Sequence, residues 1–348
     1  MIRLKVLVTG NSGYIGSVLA EILVEKEHEI TGLDTNYYKE CSLYAPPQKI
    51  RQIKKDIRDV SGEDLKGFDA VIHLAALSND PLGEFNQKLT YDINYLASVN
   101  LARLAKNAGV GRFVYASSQS MYGIAKGDAE LDEDKSEKNP LTAYAKTKWD
   151  AECELKKLGD DNFIVSCFRP STVFGASSNL RCDIVFNNLV ACAYTTGKIE
   201  IKSDGTPWRP VVHVRDACSA FIAGLEAPKD ILQNQSFNVG IKNGNFTVRD
   251  LAQAAQKAVK GSSLIFTGEH NKDSRTYRVS FKKILTELKD YYKPKWNLIN
   301  GGKELVKLFE RVNFTEKLFR GRKCNRLMQL KYLIENKRID KDLRWIGK

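Results

Sequence analysis

The chain alternates short apolar runs with amphipathic ones. Val6-Leu7-Val8-Thr9 is a β-branched run that reads as a buried strand. Ser17 to Lys26 then places Val18, Leu19, Ile22 and Leu23 on one face of a helix. Further strands are predicted from Glu29 to Leu33, Gln48 to Lys55, Ala70 to Leu74, Arg112 to Ala116 and Phe163 to Phe168. Helices are predicted from Tyr91 to Ala108, with Ile93, Leu96, Val99, Leu101 and Leu104 apolar, and from Thr142 to Leu158. Strand and helix in alternation specify an α/β fold with a doubly wound parallel sheet.

Beyond about residue 175 the alternation loosens. A helix from Ile184 to Ala193 and strands at Ile199 to Ile201 and Val211 to Val214 are predicted. Then follow a helix capped by Asp216 and running to Leu225, a strand from Gln235 to Val239, and a helix from about Thr247. This half reads as a smaller α+β lobe forming one wall of a cleft. The expected division is residues 1–175 and 176–348, with 211–239 returning to the first unit. From Leu305 onward the pattern is helical.

Composition adds little to this picture and charge adds more. The 348 residues include 54 Lys and Arg against 42 Asp and Glu, a formal charge of +12. The excess is concentrated from Gly301 onward, where basic residues interleave with Leu, Phe and Ile at helical spacing. A solvated basic helical face is expected there rather than a nucleic-acid surface. No apolar run approaches the roughly 20 residues of a membrane span. The seven cysteines form no C-x-x-C pair. Reduced structural thiols in a cytoplasmic protein, with no metal site, are expected.

The chemistry begins where the first strand ends. Gly10-Asn11-Ser12-Gly13-Tyr14-Ile15-Gly16 follows it at once and opens the first helix. Gly10 lets the chain turn tightly, Gly13 lets a pyrophosphate approach the backbone, and Gly16 lets the helix pack closely on the sheet. The helix N-terminus presents free N–H groups to phosphate. Asp34 ends the second strand about twenty residues on, the spacing of a dinucleotide site. Its carboxylate can accept ribose hydroxyls and would repel a 2′-phosphate, which points to NAD rather than NADP. Asp56 ends the third strand before Ile57, and either meets an adenine amino group or caps the next turn. Leu74, Ala75 and Ala76 follow the fourth strand and are small enough for a cofactor to lie against.

Tyr144 and Lys148 lie four apart on one helix face, about 26 residues after a serine cluster, Ser117-Ser118-Gln119-Ser120, at the end of the fifth strand. An ammonium beside a phenol lowers the phenol's pKa and makes it a usable acid/base. His213, in a Val-rich strand, reads as structural.

Together these motifs resemble the extended short-chain dehydrogenases/reductases, in the nucleotide-sugar epimerase/dehydratase, UDP-galactose 4-epimerase-like branch. Asn94, Met121-Tyr122-Gly123, Asn187-Asn188-Leu189 and Trp208-Arg209-Pro210 extend the match, which covers roughly residues 4 to 290. The resemblance implies a Rossmann domain holding NAD and a smaller domain binding a nucleoside diphosphate sugar. It implies Ser118, Tyr144 and Lys148 as catalytic residues, Asn94 with the cofactor set, and Ser78, Thr172, Asn188, Arg209 and Arg275 around the substrate. A homodimer built on the helices from Tyr91 and from Thr142 is also implied. Where dehydratases of this branch carry Asp-Glu, this chain has Gln119-Ser120, which can neither protonate a leaving hydroxyl nor take a C5 proton. The expected reaction is therefore epimerisation through transient oxidation, at C4. A 4-dehydrogenase or ketoreductase, or an NAD-sensing binding protein, are the alternatives.

Overall fold

The computed structural model describes residues 3–45, 50–124, 129–268 and 276–347. Strands β1 (Lys5–Thr9), β2 (Glu29–Asp34), β3 (Arg51–Lys54), β4 (Ala70–His73), β5 (Arg112–Ala116) and β6 (Ile164–Pro170) form a parallel sheet in the order β3-β2-β1-β4-β5-β6. Strand Gln235–Val239 adds beside β6, also parallel. The sheet reverses direction of growth between β1 and β4, and ligands of such folds bind at the carboxyl ends there. Thr9 pairs with Leu33 on one side and His73 on the other, so β2 and β4 end level with the glycine turn.

Helices cover both faces of this sheet, and others pack together in the second half of the chain. The longer ones are α1 (Tyr14–Glu25), α2 (Ser98–Asn107), α3 (Ala143–Leu158), α4 (Val185–Thr196), α5 (Val214–Glu226), α6 (Val248–Ala258), α7 (Leu298–Arg311) and α8 (Arg326–Glu335); α4, α6 and α7 are packed on one another. In α1, Val18, Leu19 and Leu23 are buried, and each such side chain contributes about 1.5–3 kcal/mol by leaving water. Strands Thr172–Phe174, Trp208–His213 and Asn245–Thr247 form a small second sheet, and Lys198–Ile201 pairs with Ser263–Phe266.

Three elements differ from the sequence reading. The helix expected from Tyr91 to Ala108 contains a wide π turn, Asp92–Ala97. That turn holds Asn94 inward, where its amide bonds both the N–H and the carbonyl of Leu77 (2.8 and 3.1 Å). The cap of α5 is His213, whose Nδ1 accepts the N–H of Arg215 (3.3 Å), and Asp216 lies inside the first turn. Asp216 instead accepts the N–H groups of Lys295 and Trp296 (2.9 and 3.0 Å). His213 is buried, stacked on Trp296 (3.9 Å between ring centres) and bonded to Glu304 (2.8 Å), as a structural histidine would be.

The third difference is in the C-terminal segment. Its basic face is solvated, with Lys303, Lys307, Lys317, Lys331, Lys337 and Lys341 exposed, but the segment is also part of the core. Leu330, Leu333, Ile339 and Leu343 are buried with Leu7, Leu33, Tyr37 and Ile57 of the first unit. Some of its cations are paired: Arg322 and Arg338 with Glu40, and Arg344 with Asp59 (2.5 Å). None of the described helices is long and apolar enough to cross a membrane.

Beside β5, β6 and the strand Gln235–Val239 lies a buried ion pair. Glu152 of α3 receives Arg169 of β6 through Nε and Nη2, and the Ser117 and Ser236 hydroxyls donate to it at 2.6 Å. Arg169 also donates to the Tyr122 hydroxyl (3.0 Å). Burial alone would raise the Glu152 pKa, but Arg169 outweighs it and holds the carboxyl below its ordinary value. The pair's stabilisation is therefore present above that value and lost as pH falls through the native one. Glu152→Leu leaves a buried guanidinium uncompensated and should cost about 3–5 kcal/mol in urea unfolding, whereas Glu152→Leu with Arg169→Met should recover most of the loss. Equal losses in the two variants would show that the charges are not the issue.

Candidate active site

A cavity of about 610 Å³ opens at the carboxyl ends of β1, β2, β4, β5 and β6. Its floor is the glycine turn. Gly10 has φ +74°, and a Cβ there would stand 2.7 Å from the amide of Ala75. A Cβ on Gly16 would stand 2.2 Å from the Gly10 carbonyl. Both positions exclude any side chain, so the turn leaves bare backbone facing the cavity at the start of α1. Gly13, Tyr14 and Ile15 line it too. The Tyr14 hydroxyl is turned away from it, donating to the Gly175 carbonyl (2.8 Å) and accepting from Asn187 (3.1 Å).

Asp34 lines the cavity at the end of β2, with its carboxylate accepting the N–H groups of Ser12 (3.1 Å) and Asn36 (2.7 Å). Burial raises its pKa, opposed by those two N–H groups. Asp56 and Ile57 line the same end. Asp56 caps the following turn, accepting the Arg58 N–H at 2.9 Å, and pairs with the Arg58 guanidinium (2.7 Å). Leu74, Ala75 and Ala76 form the wall after β4. Asn11, Ser12 and Asn94 act one step back from the wall. Asn11 packs on Gly32, Ser12 braces Asp34, and Asn94 fixes the Leu77 segment.

Ser118, Tyr144 and Lys148 meet on the wall formed by β5 and α3. Thr142 caps α3, accepting from the Ala145 N–H (3.2 Å), so Tyr144 falls in its first turn with Lys148 one turn on. Ser118 hydrogen-bonds Tyr144 and lies 2.9 Å from the Ser120 hydroxyl. Lys148 is buried beside β5. Its Nζ donates to the Ala116 carbonyl (2.7 Å) and lies over the Tyr115 ring, and burial lowers its pKa to about 7. Burial raises the Tyr144 pKa above its ordinary value, with Ser118 opposing. Gln119 is buried, bonded to the Arg169 carbonyl (2.9 Å) and to Ser171 (3.2 Å), and has no spare capacity for chemistry.

The far wall carries Ser78, Thr172 and Arg209. Arg209 donates to the Trp208 carbonyl (2.9 Å). Asn188 is not on the wall. It is exposed on α4 and donates to the Cys182 carbonyl (2.9 Å), while its neighbour Asn187, about 100° around the helix, points inward and holds Gly175 N (2.9 Å). Arg275 falls outside the described residues. Sequence reasoning missed Arg181, Asp183, Tyr38 and Arg326, all of which line the cavity. Arg181 and Asp183 are bound to each other (2.9 and 3.0 Å), and Arg181 also donates to the carbonyl and hydroxyl of Ser78. Only the basic run from Gly301 hinted at Arg326.

A bare glycine turn, a carboxylate at the end of the second strand and a Ser-Tyr-Lys wall define a dinucleotide-dependent oxidoreductase or epimerase of the doubly wound class. Residues 6–240 match the NAD dependent epimerase/dehydratase family, and the chain belongs to that family. It is an enzyme whose cofactor is NAD, and the glycine cradle and Asp34 fit that dinucleotide. The chain is 29% identical over 288 residues to a UDP-glucose 4-epimerase of Lactobacillus helveticus, covering 76% of this chain and 84% of that protein. The structure of MoeE5 in complex with UDP-glucose and NAD superposes with a TM-score of 0.73 at 26% identity, covering 88% of this chain and 99% of that one. Epimerase Mth375 of Methanothermobacter thermautotrophicus shares the fold, with a TM-score of 0.76 at 23% identity, covering 91% and 94% of the two chains.

Two outcomes test this geometry. The protein should bind NAD more tightly than NADP, because a 2′-phosphate would meet Asp34; equal affinities in a titration would remove Asp34 from that role. Lys148 is the second. Its pKa is near 7 when folded against an ordinary 10.5, so the unfolded chain binds more protons between those values and stability rises with pH there. The cofactor-free native protein should gain melting temperature over Lys148→Met between pH 7 and 10. A constant difference would contradict the buried amine.

Proposed function

We propose that the protein is a nucleotide-sugar epimerase that inverts one carbon, C4, by transient oxidation of its hydroxyl. The observation that carries this reading is the Ser118-Tyr144-Lys148 wall facing Arg209 and Thr172 across one cavity that also contains the glycine turn. The UDP-glucose 4-epimerase relative and the UDP-glucose and NAD complex of MoeE5 support the same substrate class. Gln119 and Ser120 stand where elimination would need an acid and a base, which argues for epimerisation over dehydration.

When bound, NAD would supply the hydride acceptor. Tyr144 takes the proton from the sugar hydroxyl, and Ser118 holds the oxygen that loses it. Lys148, where it carries its proton, would draw the phenol's pKa down. Lys148 holds the nicotinamide ribose. Arg209 faces the diphosphate of the substrate. Tyr91 and Leu96, 44% and 47% exposed on the helical run before β5, are the apolar face for the proposed homodimer.

The test is a panel of UDP-, GDP-, CDP- and dTDP-hexoses, read by sugar anomeric NMR signals and by NADH absorbance. Inversion without accumulated NADH supports the epimerase, and stoichiometric NADH release supports a dehydrogenase instead. On a confirmed substrate, Tyr144→Phe should lower turnover by about 10²–10⁴ while NAD still binds. Near-native turnover would remove Tyr144 as the acid/base. Arg209→Ala should weaken substrate binding by about 1.5–3 kcal/mol and leave NAD affinity unchanged.

A further inference from the structure

Arg326 opens helix α8, outside the region matched by the family, and its side chain is 2% exposed. It nevertheless lines the cavity, beside Tyr38, Arg181 and Asp183. One guanidinium nitrogen, Nη2, donates to the Asn179 carbonyl (2.6 Å), and the guanidinium lies 4.5 Å from the centre of the Tyr38 ring. The other, Nη1, is buried with no hydrogen-bond partner among the described residues. A buried charged donor left unpaired is costly, and native proteins leave such groups where a ligand completes them. Burial and the neighbouring Arg181 both push the Arg326 pKa down, so an anion at this place would relieve it. Arg181 is already matched by Asp183 in a two-point contact.

The position within the cavity selects between the two diphosphates that could reach it. Arg326 is close enough to Asp34 to help hold that carboxyl's pKa down against burial. Asp34 marks the adenosine end. The segment that carries Arg326 also grips the residues following Asp34: Gln329 donates to the Tyr37 carbonyl (3.0 Å) and Trp345 to the Thr35 carbonyl (2.7 Å). Arg344 approaches Asp56 at 3.3 Å. The C-terminal segment thus braces both strand ends that flank the adenosine half.

We propose that Arg326 is a further cofactor-binding residue, whose guanidinium takes a phosphate oxygen of the NAD pyrophosphate and so makes the C-terminal segment part of the dinucleotide site. The proposal rests on NAD as the cofactor and is independent of which sugar is turned over. Charge and fork geometry suit Arg to a phosphate, and Nη1 is free to donate while Nη2 keeps Asn179.

The test uses the full chain stripped of cofactor, with calorimetric titration of ADP-ribose, adenosine and UDP. In Arg326→Gln, ADP-ribose affinity should fall about 10–100-fold while adenosine affinity is unchanged, because only the first carries the pyrophosphate. Parallel loss of ADP-ribose and adenosine would mean a structural role and overturn the proposal. Unchanged ADP-ribose with weakened UDP would assign Arg326 to the substrate and overturn it equally. If Arg326→Gln does not fold, Arg326→Lys takes its place. An ammonium cannot hold Asn179 and a phosphate with the same fork, so ADP-ribose should again weaken selectively, and native ADP-ribose affinity in that variant would refute the assignment.

Discussion

Arg169 and Glu152 form an ion pair sealed from water, and the active site depends on it. Glu152 belongs to α3, the helix that carries Tyr144 and Lys148. Arg169 belongs to β6, just before Thr172 on the opposite wall. Ser117 and Ser236 complete the carboxylate's shell from β5's end and from the strand that the second half of the chain returns to the sheet. One pair of charges thus fixes the relation between the acid/base wall, the serine cluster and the returning strand. Such a pair gains little net stability over an apolar substitute, but it tolerates only one arrangement of its donors. Tyr122 and Gln119 extend the same network, so Ser117 and Gln119 are held by it.

What could be read from the sequence was local. The strands, the glycine turn, Asp34 and the Tyr144–Lys148 spacing are set by patterns within a few residues of each other, and they stand where the pattern put them. Asp56 shows the limit: residue type allowed a cap or an adenine contact, and the structure shows it capping the turn through the Arg58 N–H while it also lines the cavity. Asn188 shows another. Two adjacent asparagines on a helix face different ways, and only packing decides which is inward. The π turn around Asn94 has no periodic signature beyond a small phase slip. The spacing of Lys148 to Tyr144 likewise says nothing about the Ala116 carbonyl that accepts its hydrogen bond.

The longest-range feature was the least legible. Basic residues among Leu and Ile at helical spacing describe a surface helix equally well as one packed on a distant sheet. Arg326 belongs to the second case through Tyr38, Asn179 and Arg181, each well over a hundred positions away. Charge runs in sequence carry no information about partners of that separation.

The same packing has a consequence for how the chain is made. The core under β1 and β2 contains Leu7 and Leu33 near the first residues and Leu330, Ile339 and Leu343 near the last. Most of that face is covered by elements that follow soon after, through Leu101, Ala102, Ala151 and Leu155, but the part beside β2 waits for α8. At roughly 5–20 residues per second the interval between β2 and α8 lasts on the order of 15–60 s. A nascent chain that stops short of α8 therefore carries a hydrophobic seam at that corner of the sheet.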